Sequence, residues 1–173
     1  MTGNVVRYAA IKYNDIVDCD TGICVSYWCQ GCPYHCEGCH NENTWDFNGG
    51  IERKLDDIIN EIIESISVNN VPRSFSVLGG EPLCSQNLPS VKEIVKAVRQ
   101  TYPNIKIFLW TGSNIENLKE DAIDMLSKYV DIVIDAPFIL SQRDITLKMR
   151  GSSNQRIFKN VHGVFVDVTA NYA

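Results

Sequence analysis

Residues 29–40 of this 173-residue chain read CQGCPYHCEGCH, four cysteines and two histidines in twelve positions, with His162 the one histidine elsewhere. No other stretch limits the fold so strongly, because a loop this dense in soft ligands is shaped by what it holds. The cysteines number seven (Cys19, Cys24, Cys29, Cys32, Cys36, Cys39 and Cys84), and six fall within the first 39 residues. An odd, clustered set points to metal or redox chemistry in a reducing cytosol rather than to a disulfide framework. Free cysteine is often a small buried hydrophobe, but Gly31, Pro33 and Gly38 mark this segment as a loop of turns.

The rest of the chain is ordinary. Its length suits one domain, residues 1–173, with a core that needs no covalent staple. Hydrophobic residues make up 45% and charged residues 21%, the proportions of a globular protein. No charge-free apolar run approaches the ~20 residues of a membrane span, and MTGNVVRYAAIKYND lacks a secretory h-region. A cytoplasmic location away from membranes is therefore expected. A net charge of −5 without a basic run argues against nucleic acid and for a protein or small-molecule partner.

The first third reads as irregular and cysteine-rich apart from a strand at ICVSYW (23–28). Residues 53–68 then place Leu55, Ile58, Ile59, Ile62, Ile63 and Ile66 on one helical face. Strands are expected at SFSVL (74–78), IKIFLW (105–110) and DIVID (131–135), with a last or edge strand at GVFVDV (163–168). A capping box at Ser90 and Glu93 suggests where a second helix begins, and residues 115–126 suggest a third. Strands alternating with helices imply βαβ units and a parallel sheet. With too few units for a closed eightfold barrel, the expected fold is α/β, a partial (open) β/α barrel in one compact domain. Chemistry in such folds collects beyond the carboxyl ends of the strands. There lie Gly79-Gly80-Glu81-Pro82, Trp110-Thr111-Gly112-Ser113, Asp135-Ala136-Pro137 and the cysteine loop itself.

Structural zinc and an iron–sulfur cluster both remain open for this loop. Cys29-x2-Cys32 and Cys36-x2-Cys39 form two zinc-like pairs, but three intervening residues are fewer than zinc ribbons use. A cubane is wide enough for one loop to reach three of its corners. The trio Cys32-x3-Cys36-x2-Cys39 resembles the radical S-adenosylmethionine (SAM) enzymes, and SVLGGEPL (76–83) resembles their GGEP motif. That resemblance implies a [4Fe–4S] cluster on Cys32, Cys36 and Cys39, with the fourth iron left to SAM. Cys29 is then a core residue, and His35 and His40 are not ligands. It implies SAM contacts from Gly38, Cys39, His40, Gly79, Gly80 and Glu81. Paired glycines suit close backbone approach to a ligand, and Glu81 or backbone carbonyls suit an ammonium. Thr111 and Asp135 are candidates for the sugar or adenine end.

GCPYHCEGCHNENTWDFNGG (31–50), WTG (110–112), DIVIDAPF (131–138) and RGSSNQRI (150–157) are similar, in order, to blocks of the anaerobic ribonucleotide reductase activating proteins. On its own, RGSSNQR would read as a solvated loop whose Arg150 and Arg156 suit a carboxylate partner. The resemblance implies one-electron reduction of the cluster by a flavodoxin-type protein and cleavage of SAM to a 5′-deoxyadenosyl radical. That radical would form a glycyl radical on the large subunit of the anaerobic ribonucleoside-triphosphate reductase, with no acid–base residue required. The chain departs from the family pattern where Cys19 and Cys24 stand for the Asn and Arg of NGxGxR. It departs again at Ala136, where glycine is common, and at Ser113, where an aromatic is usual. Two alternatives are a small-molecule radical SAM enzyme of the deazapurine-synthase type and a zinc-binding interaction module. Cys19, Cys24 and Cys84 are expected to serve packing.

Overall fold

The computed structural model describes residues 3–173. One mixed sheet of eight strands organises it, in the order β3-β1-β2-β4-β5-β6-β7-β8. The central strands β2 (Ile23–Cys29), β4 (Arg73–Gly79), β5 (Ile107–Trp110) and β6 (Ile132–Asp135) are parallel. On one side β1 (Val5–Asp15) and β3 (Ile51–Lys54) are antiparallel additions; on the other are β7 (Arg156–Val161) and β8 (Val164–Asp167). The sheet is thus α/β as expected but not all parallel. The N-terminal third is not irregular either, since β1 alone runs 11 residues.

Three helices, α1 (Leu55–Ile66), α2 (Leu88–Thr101) and α3 (Glu120–Tyr129), fill the crossovers between β3, β4, β5 and β6. All three bury their apolar stripes on the same face of the sheet. Ile58, Ile62, Val91, Ile94, Val98, Met125 and Leu126 pack there on Val25, Tyr27, Phe75, Val77, Ile107, Leu109 and Val133. Side chains alternate along a strand, so Cys24, Phe108, Ile132, Ile134 and Ile157 form a second, smaller cluster on the other face, with Trp110 and Met149 against it.

Two helix starts differ from expectation. α2 begins at Leu88 with Pro89 in its first turn, and the Ser90 hydroxyl donates to the Asn87 carbonyl (3.0 Å) instead of capping. A ring that needs no amide fits a first turn as well as a capping box does. Residues 115–117 form a separate 3-10 turn before α3 begins at Glu120.

The register carries the functional consequence. Cys29 pairs with Gly79, Val77 with Leu109, and Trp110 with Ile134. The row above therefore runs Cys29, Gly79, Thr111, Asp135, and the four segments singled out in the sequence do leave the sheet along one rim.

Candidate iron–sulfur site

The cysteine loop grows from the end of β2 and is tied down by backbone bonds. Gly31 N–H donates to Thr44 O (2.6 Å), Cys32 N–H to Trp45 O (3.1 Å) and Cys39 N–H to Cys36 O (3.1 Å). The buried Gln30 amide donates to Asn43 O (3.1 Å) and Asp46 O (2.8 Å), closing the loop at its base. The His35 ring stacks on Trp45 with centroids 4.5 Å apart, so this histidine serves the loop's shape.

Cys29 departs from the other three. It is 2% exposed and packs with Val25 and Tyr27 on the helix side of the sheet. Cys32, Cys36 and Cys39 are partly exposed, beyond the rim. Burial pushes the Cys32 thiol up, while the backbone amides of Tyr34 and His35 donate to its sulfur. Burial raises Cys36 too, against an amide contribution from Phe138. The Asn41 amide donates to Cys39 Sγ (3.3 Å). Amides turned toward sulfur are what a thiolate on iron uses to spread its charge.

The GGEP segment docks against this loop. Gly80 N–H donates to Cys29 O and Glu81 N–H to Gly31 O, both at 2.9 Å. A Cβ on Gly79 (φ +106) would stand 2.6 Å from Cys29 N, and one on Gly80 would stand 2.3 Å from Gly31 O. The glycines are therefore required by contact with the loop's own backbone, before any ligand is considered. Gly38 (φ +73) likewise faces Leu140, whose Cδ1 would lie 2.7 Å from an added Cβ.

The Glu81 carboxylate, 1% exposed, accepts from Leu83 N–H (2.9 Å), the Thr111 hydroxyl (2.8 Å) and Gly112 N–H (2.7 Å). Burial raises its pKa in spite of those three donors. Thr111 Oγ1 also accepts from Ser113 N–H (3.1 Å). Asp135, fully buried, accepts from Ile115 N–H (2.8 Å) and Arg156 Nε–H (3.0 Å). Glu81, Thr111 and Asp135 are thus brought to one rim, where each is engaged in fixing its wall. His40 lies at the mouth, tilted on Phe138 at 5.8 Å.

Residues 20–158 match the family model described as a 4Fe-4S single cluster domain. A Vibrio cholerae protein is 34% identical over 131 residues, covering 75% of this chain and 83% of its own length. An Enterobacteria phage T4 protein is 32% identical over 161 residues, covering 90% and 98%. A Haemophilus influenzae protein is 31% identical over 156 residues, covering 89% and 98%. All three are named anaerobic ribonucleoside-triphosphate reductase-activating protein. The chain belongs to this activating-protein family.

The residues present fit the family's cluster. Three thiols project from one loop with amide donors around them, and the fourth cysteine is turned into the core. Among the described residues, no three His, Cys, Asp or Glu side chains group closely enough for a single metal ion. A cluster binds each thiolate through a different iron and needs no such convergence.

Sequence reasoning missed two residues of the site wall. Asn87, 8% exposed, donates through Nδ2 to Gly31 O (3.1 Å) and Glu81 O (3.0 Å), clasping loop and motif together. Gln30 does the same at the loop base. The RGSSNQR run is also no solvated loop: Ser152 is fully buried, Gln155 Oε1 accepts from Gly151 and Ser152 amides, and Asn154 donates to Pro137 O (2.8 Å). Arg156 finds two carboxylates, Asp135 and Glu116, whereas Arg150 donates to backbone carbonyls.

Proposed function

We propose that this chain is the activating enzyme of an anaerobic ribonucleoside-triphosphate reductase, with its [4Fe–4S] cluster on Cys32, Cys36 and Cys39 and SAM beside it. The carrying observation is the position of Cys29 in the helix-side core, which leaves the loop itself three partly exposed thiols, Cys32, Cys36 and Cys39, and in this reading one iron for a non-protein ligand. When bound, the cluster and SAM supply a one-electron cleavage to a 5′-deoxyadenosyl radical that takes hydrogen from a glycine of the reductase.

The chain's own residues supply shape and exclusion of water. Gly79 and Gly80 bring the GGEP backbone against the cluster loop, and in this reading its carbonyls accept from the SAM ammonium. Glu81 acts through the amides it holds, its carboxylate being already engaged. Gly38, Cys39, His40, Thr111 and Asp135 complete the pocket border. Helices confined to one face support reading the open sheet as the partial β/α barrel of radical SAM enzymes, as a single domain. A flavodoxin-type protein is the reductant in this reading. No helix among the described residues is long and apolar enough to cross a membrane, in keeping with activity on a cytoplasmic partner.

Anaerobic purification tests the ligand set. The wild-type chain is expected to be brown with about four irons. Cys32→Ala, Cys36→Ala and Cys39→Ala should each lose the colour and SAM cleavage, whereas Cys29→Ala keeps both. Bleaching of Cys29→Ala, or a colourless wild-type chain with one zinc, would overturn the assignment.

A further inference from the structure

Tyr34 lies in the three-residue span between Cys32 and Cys36, and its side chain crosses the rim to the segment that follows β5. Its hydroxyl is hydrogen-bonded to the Ser113 hydroxyl, 79 positions away in sequence. Its ring lies against the backbone of Gly112, where an added Cβ would stand 2.7 Å from Cδ2 and 3.0 Å from Cε2 of the ring. Glycine at this position is what leaves room for the phenol.

Ser113 is a fixed anchor. Its N–H donates to Thr111 Oγ1 (3.1 Å), and its carbonyl accepts from Ala136 N–H (3.1 Å). Gly112 N–H and the Thr111 hydroxyl in turn donate to the buried Glu81 carboxylate, at 2.7 and 2.8 Å. The wall that receives the phenol is therefore bonded to both neighbouring rim segments, GGEP and DAP. Ser113 is also a position at which this chain departs from the family pattern.

At the other end stands Cys32. The amides of Tyr34 and His35 both donate to its sulfur, and each residue is held by its own side chain. The His35 ring stacks on Trp45 within the loop, whereas the Tyr34 phenol is tied to Ser113 on the opposite wall. Tyr34 is 43% exposed, so water can replace Ser113 as its partner at little cost in stability. The consequence of the bond is positional. Amides on sulfur stabilise the reduced, more negative cluster more than the oxidised one, and such bonds help to set its potential.

We infer that Tyr34 is a positioning residue for the cluster, a strap from Ser113 that holds the Tyr34 amide on the Cys32 thiolate and makes the cluster easier to reduce. The inference rests on Cys32 being a cluster ligand and adds a residue that tunes the uptake of the electron.

The test is a redox titration of the anaerobic, iron-loaded chain without SAM, followed by electron paramagnetic resonance. Tyr34→Phe, which keeps the ring over Gly112, and Ser113→Ala should each lower the reduced-to-oxidised ratio at a fixed applied potential about tenfold, a shift of about 59 mV to more negative values for one electron. The double variant should shift no further than either single one, because both remove the same bond. Ser113→Thr, which keeps a hydroxyl, should titrate as wild type, and all four apoproteins should unfold at the wild-type midpoint. Unshifted or more positive potentials in the single variants, or shifts that add in the double variant, overturn the strap. So does a change confined to the affinity for SAM. A wild-type chain that takes up no [4Fe–4S] cluster would instead sink the ligand assignment itself, and the strap with it.

Discussion

At the scale of single residues, Cys32, Cys36 and Cys39 were singled out by a spacing that resembles the radical SAM enzymes, and the structure adds that Cys29 lies in the core. The strand preceding the loop told where Cys29 would point. Gln30 and Asn87 were not legible, since a lone amide that binds carbonyls 6 to 56 positions away leaves no local pattern. Ala136 is a departure with a measurable cost: it holds φ +79, a conformation that disfavours a Cβ by about 1–2 kcal/mol. Glycine gives back about 0.4–1 kcal/mol through the freer unfolded chain. Ala136→Gly should therefore stabilise the fold by about 0.5–1 kcal/mol and raise Tm by about 2 °C, checked by calorimetry of the apoprotein.

Asp18 makes a second residue-scale prediction. Burial, then the hydrogen bond and charge of neighbouring Asp15, push its carboxyl up to about 7. Asp15 stays below its ordinary range, because bonds from Asp18, Ser26 and nearby amides outweigh its own burial. A raised carboxyl pKa means that the folded chain binds the Asp18 proton more tightly than the unfolded chain. The associated stability is complete below about 4 and is lost as pH rises through about 7. Asp18→Asn should thus leave stability at about pH 3.5 almost unchanged and increase it at pH 8 by at least about 1 kcal/mol, measured by urea unfolding at both values.

At the scale of elements, the alternation of helices with apolar runs revealed β4, β5, β6 and the helices between them. β1 and β7 escaped for a shared reason: both join the sheet antiparallel, without a crossover helix to announce them, and their sequences are mixed in polarity. β7 opens with Arg156, whose guanidinium bridges Asp135 at the end of β6 and Glu116 after β5. Asp135 has no exposure of its own, so losing its partner leaves a buried charge uncompensated. Arg156→Ala should cost about 3–5 kcal/mol by chemical denaturation. A loss under 1 kcal/mol would mean that Asp135 is held by the Ile115 amide alone. Glu81→Gln tests the clasp between GGEP and the β5 loop. An amide NH2 facing an N–H donor should cost about 1–3 kcal/mol and weaken SAM binding together with stability.

At the scale of the whole molecule, the sheet is asymmetric in a useful way. Helices cover the central strands on one face, and the other keeps a groove that runs up to the rim where the thiols stand. The parallel register sends four strand ends to that rim, so the loop, GGEP, WTG and DAP segments meet although up to 106 residues separate Cys29 from Asp135. The mixed character of the sheet was hidden from periodicity, which reports the faces of a strand and not the direction of its neighbour. The most direct measurement is electron paramagnetic resonance on the anaerobic wild-type chain mixed with SAM, a one-electron reductant and the reductase. The account predicts a glycyl doublet on the reductase that requires Cys32, Cys36 and Cys39 and survives Cys29→Ala. SAM cleaved by the loaded chain with no doublet on the reductase would contradict it.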